Sequence, residues 1–401
     1  MSRLDELIQE LCPNGVECKP LGEVVRFLNG RAYKQAELLD EGKYKVLRVG
    51  NFYTNDKWYY SDLELDEDKY CNNGDLLYTW AATLGPQIWS GEKVIFHYHI
   101  WKLVFDETVL NKKFLYYFLA KDIDDISKSL TKSTMPHVSM ASMNKRLVPI
   151  PPMEVQSEIV RILDNFTELT AELTAELTAR KKQYEFYRDK LLTYDDINYR
   201  HGKIIDMLQQ PITDGPHTTP ALVENGIPFL SAEAVFDGKI HFGKKRGNIT
   251  EAFDEECCKK YKPQKHDVFM VKSGSTTGKV GYVDTDERFN IWSPLAAMRV
   301  NSENSSRYLF HLLQSKGIQQ QVAAKASHGS QPNLGMRALE QFEVVIPPLD
   351  VQLRIAEVLD NFDAICSDLK IGLPAEIEAR QKQYEFYREK LLAFHKISNE
   401  Q

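Results

Sequence analysis

Two stretches of this chain carry an apolar residue at every third or fourth position over long distances. In the first, Val155, Ile159, Ile162, Phe166, Leu169, Leu173, Leu177, Tyr184, Tyr187 and Leu191 form one stripe. The second holds Val351, Ile355, Val358, Phe362, Ile365, Leu369, Leu373, Ile377, Tyr384, Tyr387 and Leu391. Steps of three and four are the heptad signature of a helix that buries a seam against another helix. The added four-residue step from Leu173 to Leu177 is a stutter, which unwinds a coiled coil locally without breaking it. Pro151-Pro152 and Pro347-Pro348 suit two helix starts, where a missing N–H is harmless. Gly372 and Pro374 predict an interruption in the second stretch, with Pro374 near the start of a new helical piece. In Val94–Trp101, strand alternation would put His97 and His99 on one face.

The stripes belong to an internal duplication. Residues 150–166 read IPPMEVQSEIVRILDNF and residues 346–362 read IPPLDVQLRIAEVLDNF, an offset of 196. RKKQYEFYRDKLL from Arg180 returns as RQKQYEFYREKLL from Arg380, an offset of 200. The second copy therefore holds one more four-residue unit. Weaker echoes pair Lys113–Leu119 with Arg307–Leu313, and Ser133–Val138 with Gly329–Leu334. Each half is a globule of about 150 residues followed by a long helical stretch, in the usual size range of a domain. The expected segments are 1–149, 150–195, 196–345 and 346–401. The globules have diverged far more than the helices, which implies two similar tasks on two different targets.

Thr170-Ala171-Glu172-Leu173 and Thr174-Ala175-Glu176-Leu177 repeat a four-residue unit inside the first helix. As a local feature it also fits a solvated helix with one apolar edge. Its consequence is length: each unit adds about 6 Å, and Glu154–Leu192 spans roughly 58 Å at the helical rise. Two such helices with matching seams would make a rod between the globules, in effect a ruler.

Composition narrows the function. The chain has 401 residues, 43% hydrophobic and 27% charged, with a net charge of −7. This is a globular composition with no apolar run long enough for a membrane span, and Met1–Glu6 lacks the apolar core of a signal peptide. Six cysteines form no CxxC pair, and Cys257-Cys258 are too close for ordinary disulfide geometry, so a reducing cytoplasm is the expected setting. The net acidity argues against a nonspecific nucleic-acid coat but leaves a local reading surface open.

Such a surface is visible in the second globule. Lys239–Lys279 holds ten Lys/Arg, among them Lys244, Lys245 and Arg246, against five Asp/Glu. Lys272-Ser273-Gly274-Ser275-Thr276-Thr277-Gly278-Lys279 follows the strand-like Asp267–Val271. A loop dense in Gly, Ser and Thr between lysines offers backbone N–H groups, hydroxyls and ammoniums to phosphates or base edges. It resembles a nucleotide P-loop, but only three residues separate Gly274 from Gly278 and Val280 follows Lys279, so ATP binding is rejected. The matching stretch Gly74–Gly85 of the first globule replaces the lysines with Thr79, Trp80 and Thr83. Two further candidates precede the long helices: Lys132, Ser133, Thr134 and His137 in one copy, Ser330, Gln331 and Asn333 in the other. Asn and Gln can bond adenine in bidentate fashion, Lys and Arg guanine. His217 and Thr218, in Asp214–Pro220, mark another candidate loop. Each of these also fits a polar turn or solvated face without a ligand.

Enzymatic signatures are missing. His97 and His99 could form a metal pair but lack a third ligand at diagnostic spacing, so strand surface is the expected role. GxSxG, HExxH and a helix-opening GxGxxG do not occur. No metal or cofactor site is expected in this chain.

IPPxxVQxxI…LDNF followed by KQYEFYRxKLL, twice, resembles the specificity (S) subunits of type I restriction–modification systems, and the TAEL unit resembles the variable spacer of one branch of that family. The resemblance covers essentially the whole chain. It implies an α+β fold, with two globular target-recognition domains separated by two long, antiparallel coiled-coil regions related by a pseudo-two-fold repeat. The seam would include Ile159, Ile162, Phe166, Leu169, Leu173, Leu177 and Tyr184 from the first stretch and Ile355, Val358, Phe362 and Tyr384 from the second. Each globule would read half of a split sequence in double-stranded DNA, with helix length setting the gap. Two methyltransferase subunits would supply S-adenosylmethionine and flip out adenine; motor-nuclease subunits would supply ATP and Mg chemistry. The chain itself would be non-catalytic, with no membrane partner. A coiled-coil adaptor whose globules bind protein or carbohydrate is the alternative.

Overall fold

The computed structural model describes all residues except 1, 54, 124, 127–136, 194–198, 328–330, 369 and 396–401. The chain divides into two compact units, Met1–Ala171 with Glu378–Gln401, and Glu172–Ile377. The fold is α+β, and each unit draws on both helical stretches.

The first stretch is one helix, Met153–Leu192, of 40 residues, or about 60 Å. It begins directly after Pro151-Pro152 and runs through both TAEL units. The second stretch is interrupted as Gly372 and Pro374 predict. One helix covers Leu349–Ser367 and the next Leu373–Leu391. Between them the Asp368 carboxylate accepts hydrogen bonds from the N–H groups of Lys370 and Ile371. A Cβ at Gly372 would lie 2.6 Å from the Ala364 carbonyl oxygen, so no larger residue fits this corner unmoved.

In the first unit, Arg26–Asn29, Ile100–Val104, Leu76–Thr79 and Gly85–Ile88 form an antiparallel sheet in that spatial order. A second sheet orders Tyr59–Ser61, Tyr44–Leu47, Val94–Phe96 and Tyr70–Cys71, with its two central strands parallel. The other unit repeats the plan with a six-stranded sheet centred on Val268–Val271 and a three-stranded sheet in which Ile227–Leu230 and Asn290–Ile291 run parallel. Alternating apolar positions alone would not reveal these central strands. Val268–Val271, Leu295–Met298 and Leu76–Thr79 are buried on both faces.

Each globule is fused to its helices by a shared core. In the first unit Val155, Ile159 and Leu163 are fully buried alongside Phe114, Leu115 and Leu392. In the second, Ala356, Leu359 and Leu192 join Leu309, Leu313 and Phe342. Full burial of each large aliphatic side chain contributes roughly 1.5–3 kcal/mol. Polar clamps accompany the cores. Gln156 is buried; its carbonyl accepts from the Asn111 N–H (2.7 Å) and its amide donates to the carbonyls of Val109 and Pro151. Gln352 does the same in the second unit, accepting from the Ser305 N–H (2.9 Å) and donating to Asn304 and Pro347. Asp164 binds Lys113 and Tyr117, as Asp360 binds Arg307 and His311. Burial lowers the His311 pKa even though Asp360 opposes that shift.

Helix–helix contact occurs inside each unit. Phe166 stacks on Tyr387 with centroids 5.3 Å apart in the first, and Tyr187 stacks on Phe362 at 5.7 Å in the second. The internal repeat converts one pair into the other. Ile162, Phe166, Leu169, Leu173, Leu177, Tyr184, Ile355 and Tyr384 are half-buried, and Ile159 is fully buried. Val358 departs from the expected seam: it is 44% exposed, because the globule draws the neighbouring Ala356 and Leu359 inward and turns Val358 outward. Leu369 lies outside the described residues.

Replacing Gln156 with Ala removes one buried and two partly buried hydrogen bonds, at about 0.5–1.5 kcal/mol each; a lower urea midpoint is expected. Leu359→Ala should cost about 2–5 kcal/mol, whereas Val358→Ala should stay within about 0.5 kcal/mol. Chemical denaturation of the two variants side by side checks which residue faces the core.

Candidate functional site

In the second unit, three loops that are distant in sequence meet at the end of the central strands. Val268–Val271 leads into Lys272–Lys279, which returns as Val280–Tyr282. The loop is closed by mutual bonds between Val271 and Lys279 or Gly278. Gly274 and Gly278 have φ of +103° and +96°, a conformation that glycine adopts without strain. A P-loop opens into a helix, whereas this loop joins two strands, in keeping with the rejected ATP site. The second loop docks on the first. Ser273 pairs with Asn333, the Leu334 N–H donates to the Lys272 carbonyl (2.7 Å), and the Gly274 N–H donates to the Pro332 carbonyl (2.9 Å). Thr277 Oγ1 donates to the carbonyls of Gly274 and Pro332. The two separately identified candidate loops are thus one surface. Asp214–Pro220 is the third loop: Asp214 reaches Lys272, and Gly215 passes so close to Ile291 that a Cβ would lie 1.8 Å from that carbonyl oxygen.

Asp214 organises the charge. Only 1% exposed, it meets Lys260 Nζ at 2.5 Å, His217 Nε2 at 3.2 Å and Lys272 Nζ at 3.3 Å. A buried carboxylate needs such partners. Burial alone would raise its pKa; Lys260 and Lys272 outweigh burial and leave it lowered. Lys272 corrects the sequence expectation. Its side chain is buried and turned towards Asp214, so it anchors the loop instead of projecting as a phosphate contact. Lys279, Lys244, Lys245, Arg246, His217, Thr218, Ser275, Gln331 and Asn333 are exposed, while Ser273, Thr276 and Thr277 are half-buried. Arg246 lies 3.9 Å over the Trp292 ring. Ser330 lies outside the described residues.

The first unit holds an equivalent surface on the same backbone bonds. The Val138 N–H donates to the Trp80 carbonyl (3.0 Å), and Ala81 pairs with His137. Trp80 therefore occupies the position of Lys272 and Asp75 that of Asp267; Asp75 pairs with Lys102 (2.7 Å), whereas Asp267 pairs with Arg299 (2.7 Å), two residues further along the matching strand. Thr79 is also a correction: it is fully buried in its strand, with Oγ1 donating to the Gly85 carbonyl (3.0 Å), because the sheet closes over it. Thr83 and His137 are exposed. Trp80 is half-buried, stacked on Trp101 at 5.7 Å, and its Nε1 donates to the Tyr98 carbonyl (2.7 Å). Lys132, Ser133 and Thr134 lie outside the described residues. His97 and His99 are not on a strand face. The strand ends at Phe96, and His97–His99 form the turn into Ile100–Val104. Among the described residues no three His, Cys, Asp or Glu side chains gather as a metal site, and no helix is long and apolar enough to cross a membrane.

Sequence reasoning missed the Asp214–Lys260 pair, whose members are 46 residues apart and lack a motif. It also missed Arg31, Arg48 and Tyr98, which gather at the turn in the first unit. Only the doubled scaffold makes their position meaningful. Asp214→Asn should destabilise the protein at pH 7, since a carboxylate with a depressed folded pKa contributes stability above its unfolded value, near 4. That contribution disappears as pH falls through the folded pKa, so wild type and variant should converge in acid. Thermal unfolding at pH 7 and below pH 4 checks the sign.

Comparison with known proteins places these surfaces in a family. The family model described as "Type I restriction modification DNA specificity domain" matches residues 13–180 and again 218–379. The EcoR124I/EcoR124II type I restriction enzyme specificity subunit of Escherichia coli is 32% identical over 297 residues, covering 71% of each chain. A putative type I restriction enzyme specificity subunit of Haemophilus influenzae is 31% identical over 397 residues, covering 94% of this chain and 96% of that one. Among solved structures, the type I restriction–modification S subunit from M. genitalium superposes with a TM-score of 0.54 at 14% identity, over 93% of this chain and 95% of the other. A chain from a structural study of type I R-M complex assembly superposes with a TM-score of 0.65 at 13% identity, over 95% and 98%. Two matched domains and relatives at this identity establish that the chain belongs to the family of type I restriction–modification DNA specificity subunits.

Proposed function

We propose that this chain is the sequence reader of a type I restriction–modification complex, recognising a bipartite site in double-stranded DNA through one half-site per unit. The observation that carries this reading is the pair of loop surfaces held by the same hydrogen bonds yet lined with unlike side chains. A single scaffold presenting two chemistries suits two different base sequences. The chain is a recognition subunit and not a catalyst. Methylation with S-adenosylmethionine falls to methyltransferase subunits, and ATP- and Mg-dependent cleavage to restriction subunits. Six unpaired cysteines support a reducing, cytoplasmic setting.

The helical stretches set the gap between half-sites, as in the TAEL-spacer branch of the family. The repeat-related contacts Phe166–Tyr387 and Tyr187–Phe362 support an antiparallel, pseudo-two-fold pairing. The repeated KQYEFYR segment leaves Phe186 60% and Phe386 62% exposed, each beside its neighbouring tyrosine. The same exposed aromatic appearing twice supports two copies of one partner, the methyltransferase.

Selection of binding sites from random duplex DNA by the full chain with its methyltransferase subunits tests the reading. Two fixed half-sites separated by a fixed gap are expected; no preference would favour the adaptor alternative. Lys279→Ala should weaken binding and lower the salt slope by about one, with the preferred bases retained. Deleting or adding one TAEL unit should shift the gap by about one or two base pairs, since about 6 Å spans that many. Phe186→Ala with Phe386→Ala should reduce the two methyltransferase copies recovered per chain, measured by native mass spectrometry.

A further inference from the structure

Trp80, His97, Tyr98 and His99 form a ring cluster that neither a metal site nor a strand surface explains. Their backbone positions identify a counterpart in the other unit. The His97 N–H donates to the Leu47 carbonyl, as Trp292 donates to Leu230, each at 2.9 Å. Tyr98 donates to the Arg31 carbonyl (3.1 Å) as Ser293 does to Pro216 (3.3 Å), and Trp80 to His99 (3.1 Å) as Lys272 does to Pro294 (2.8 Å). The turn His97–His99 thus stands where Trp292–Pro294 stands, at the rim of the surface that carries Arg246, His217 and Lys279. Its chemistry is different. Tyr98 and His99 have centroids 4.0 Å apart, His97 and His99 4.9 Å, and Trp80 meets His99 edge-on at 5.1 Å.

We propose that the turn His97–Tyr98–His99, with Trp80, is the base-contacting element of the first unit: a platform of rings that discriminates the bases of one half-site. This rests on the DNA-reading function above and assigns the residues that perform it. Burial, reinforced by His99 and Arg48, brings the His97 pKa down to about 4, and burial with Arg48 lowers that of His99. Near pH 7 both imidazoles are neutral, and a neutral imidazole pairs one donor with one acceptor. Its two nitrogens diverge, so each ring offers a base edge one donor or one acceptor at a time, such as a bond to adenine N7 or from adenine N6. Tyr98 is 38% exposed and adds an apolar face and a hydroxyl. Of the nearby cations, Arg48 lies 5.4 Å over the Tyr59 ring, and two others are held by carboxylates. Arg31 forks onto Glu37 at 2.9 and 2.8 Å, and Lys102 binds Asp75 at 2.7 Å. The platform therefore contributes discrimination, while attraction to phosphate comes from other residues.

The test compares the full chain with its Tyr98→Ala and His99→Ala variants, each assembled with methyltransferase and offered random-sequence duplexes. Discrimination at positions in one half-site should fall about tenfold or more, with the other half-site, the gap and the salt slope unchanged. The retained half-site reports that each variant complex is assembled. Should the first unit lose its near-ultraviolet circular dichroism in these variants, His99→Phe and Tyr98→Phe preserve ring packing and carry the comparison. They remove imidazole nitrogens and a hydroxyl, and base preference should still change. Unaltered preference in both half-sites with folded variants would overturn the proposal. A wild-type complex without any base preference would instead overturn the reading function itself.

Discussion

The structure depends on one constraint: the apolar stripe of each long helical stretch is completed by a globule as well as by another helix. Val155, Ile159 and Leu163 enter the first core and Ala356 and Leu359 the second. A helix end from the opposite stretch closes each core, through Leu392 and Leu192. Gln156 and Gln352 orient this junction because a buried amide must satisfy donors and acceptors in fixed directions. Apolar burial supplies the larger part of the stabilisation and the glutamines supply direction. A globule held this way has little freedom to turn about its helix.

The two units share a scaffold and differ at the loop tips. The bonds that place Trp80, His97 and Val138 recur at Lys272, Trp292 and Leu334 and involve backbone atoms alone. Backbone bonding leaves side chains at the tips able to change without cost to the sheet. In the second unit the tips gather charge around Asp214, whose buried carboxylate fixes Lys260 and Lys272. In the first, rings replace charges.

Much of the helical architecture was legible. The Pro-Pro starts, the interruption at Gly372 and Pro374, and the paired seam follow from spacing and from proline and glycine chemistry, which act locally. Val358 was misread because a three–four pattern shows only that a face is apolar; Ala356 and Leu359 compete for the inward direction, and the globule decides. His97 and His99 were misread because alternation cannot show where a strand stops. Lys272 looked like a phosphate contact because its partner, Asp214, is a residue of another strand.

The sequence by itself determined the duplication, the helix lengths and the family motifs, because each is written in contiguous residues and short-range periodicity. Tertiary structure alone decided which candidate side chains face solvent, which are consumed by buried partners, and which loops of the two units correspond. Those facts depend on strands and loops brought together across dozens of residues, where burial and charge pairing act on distance in space and not along the chain.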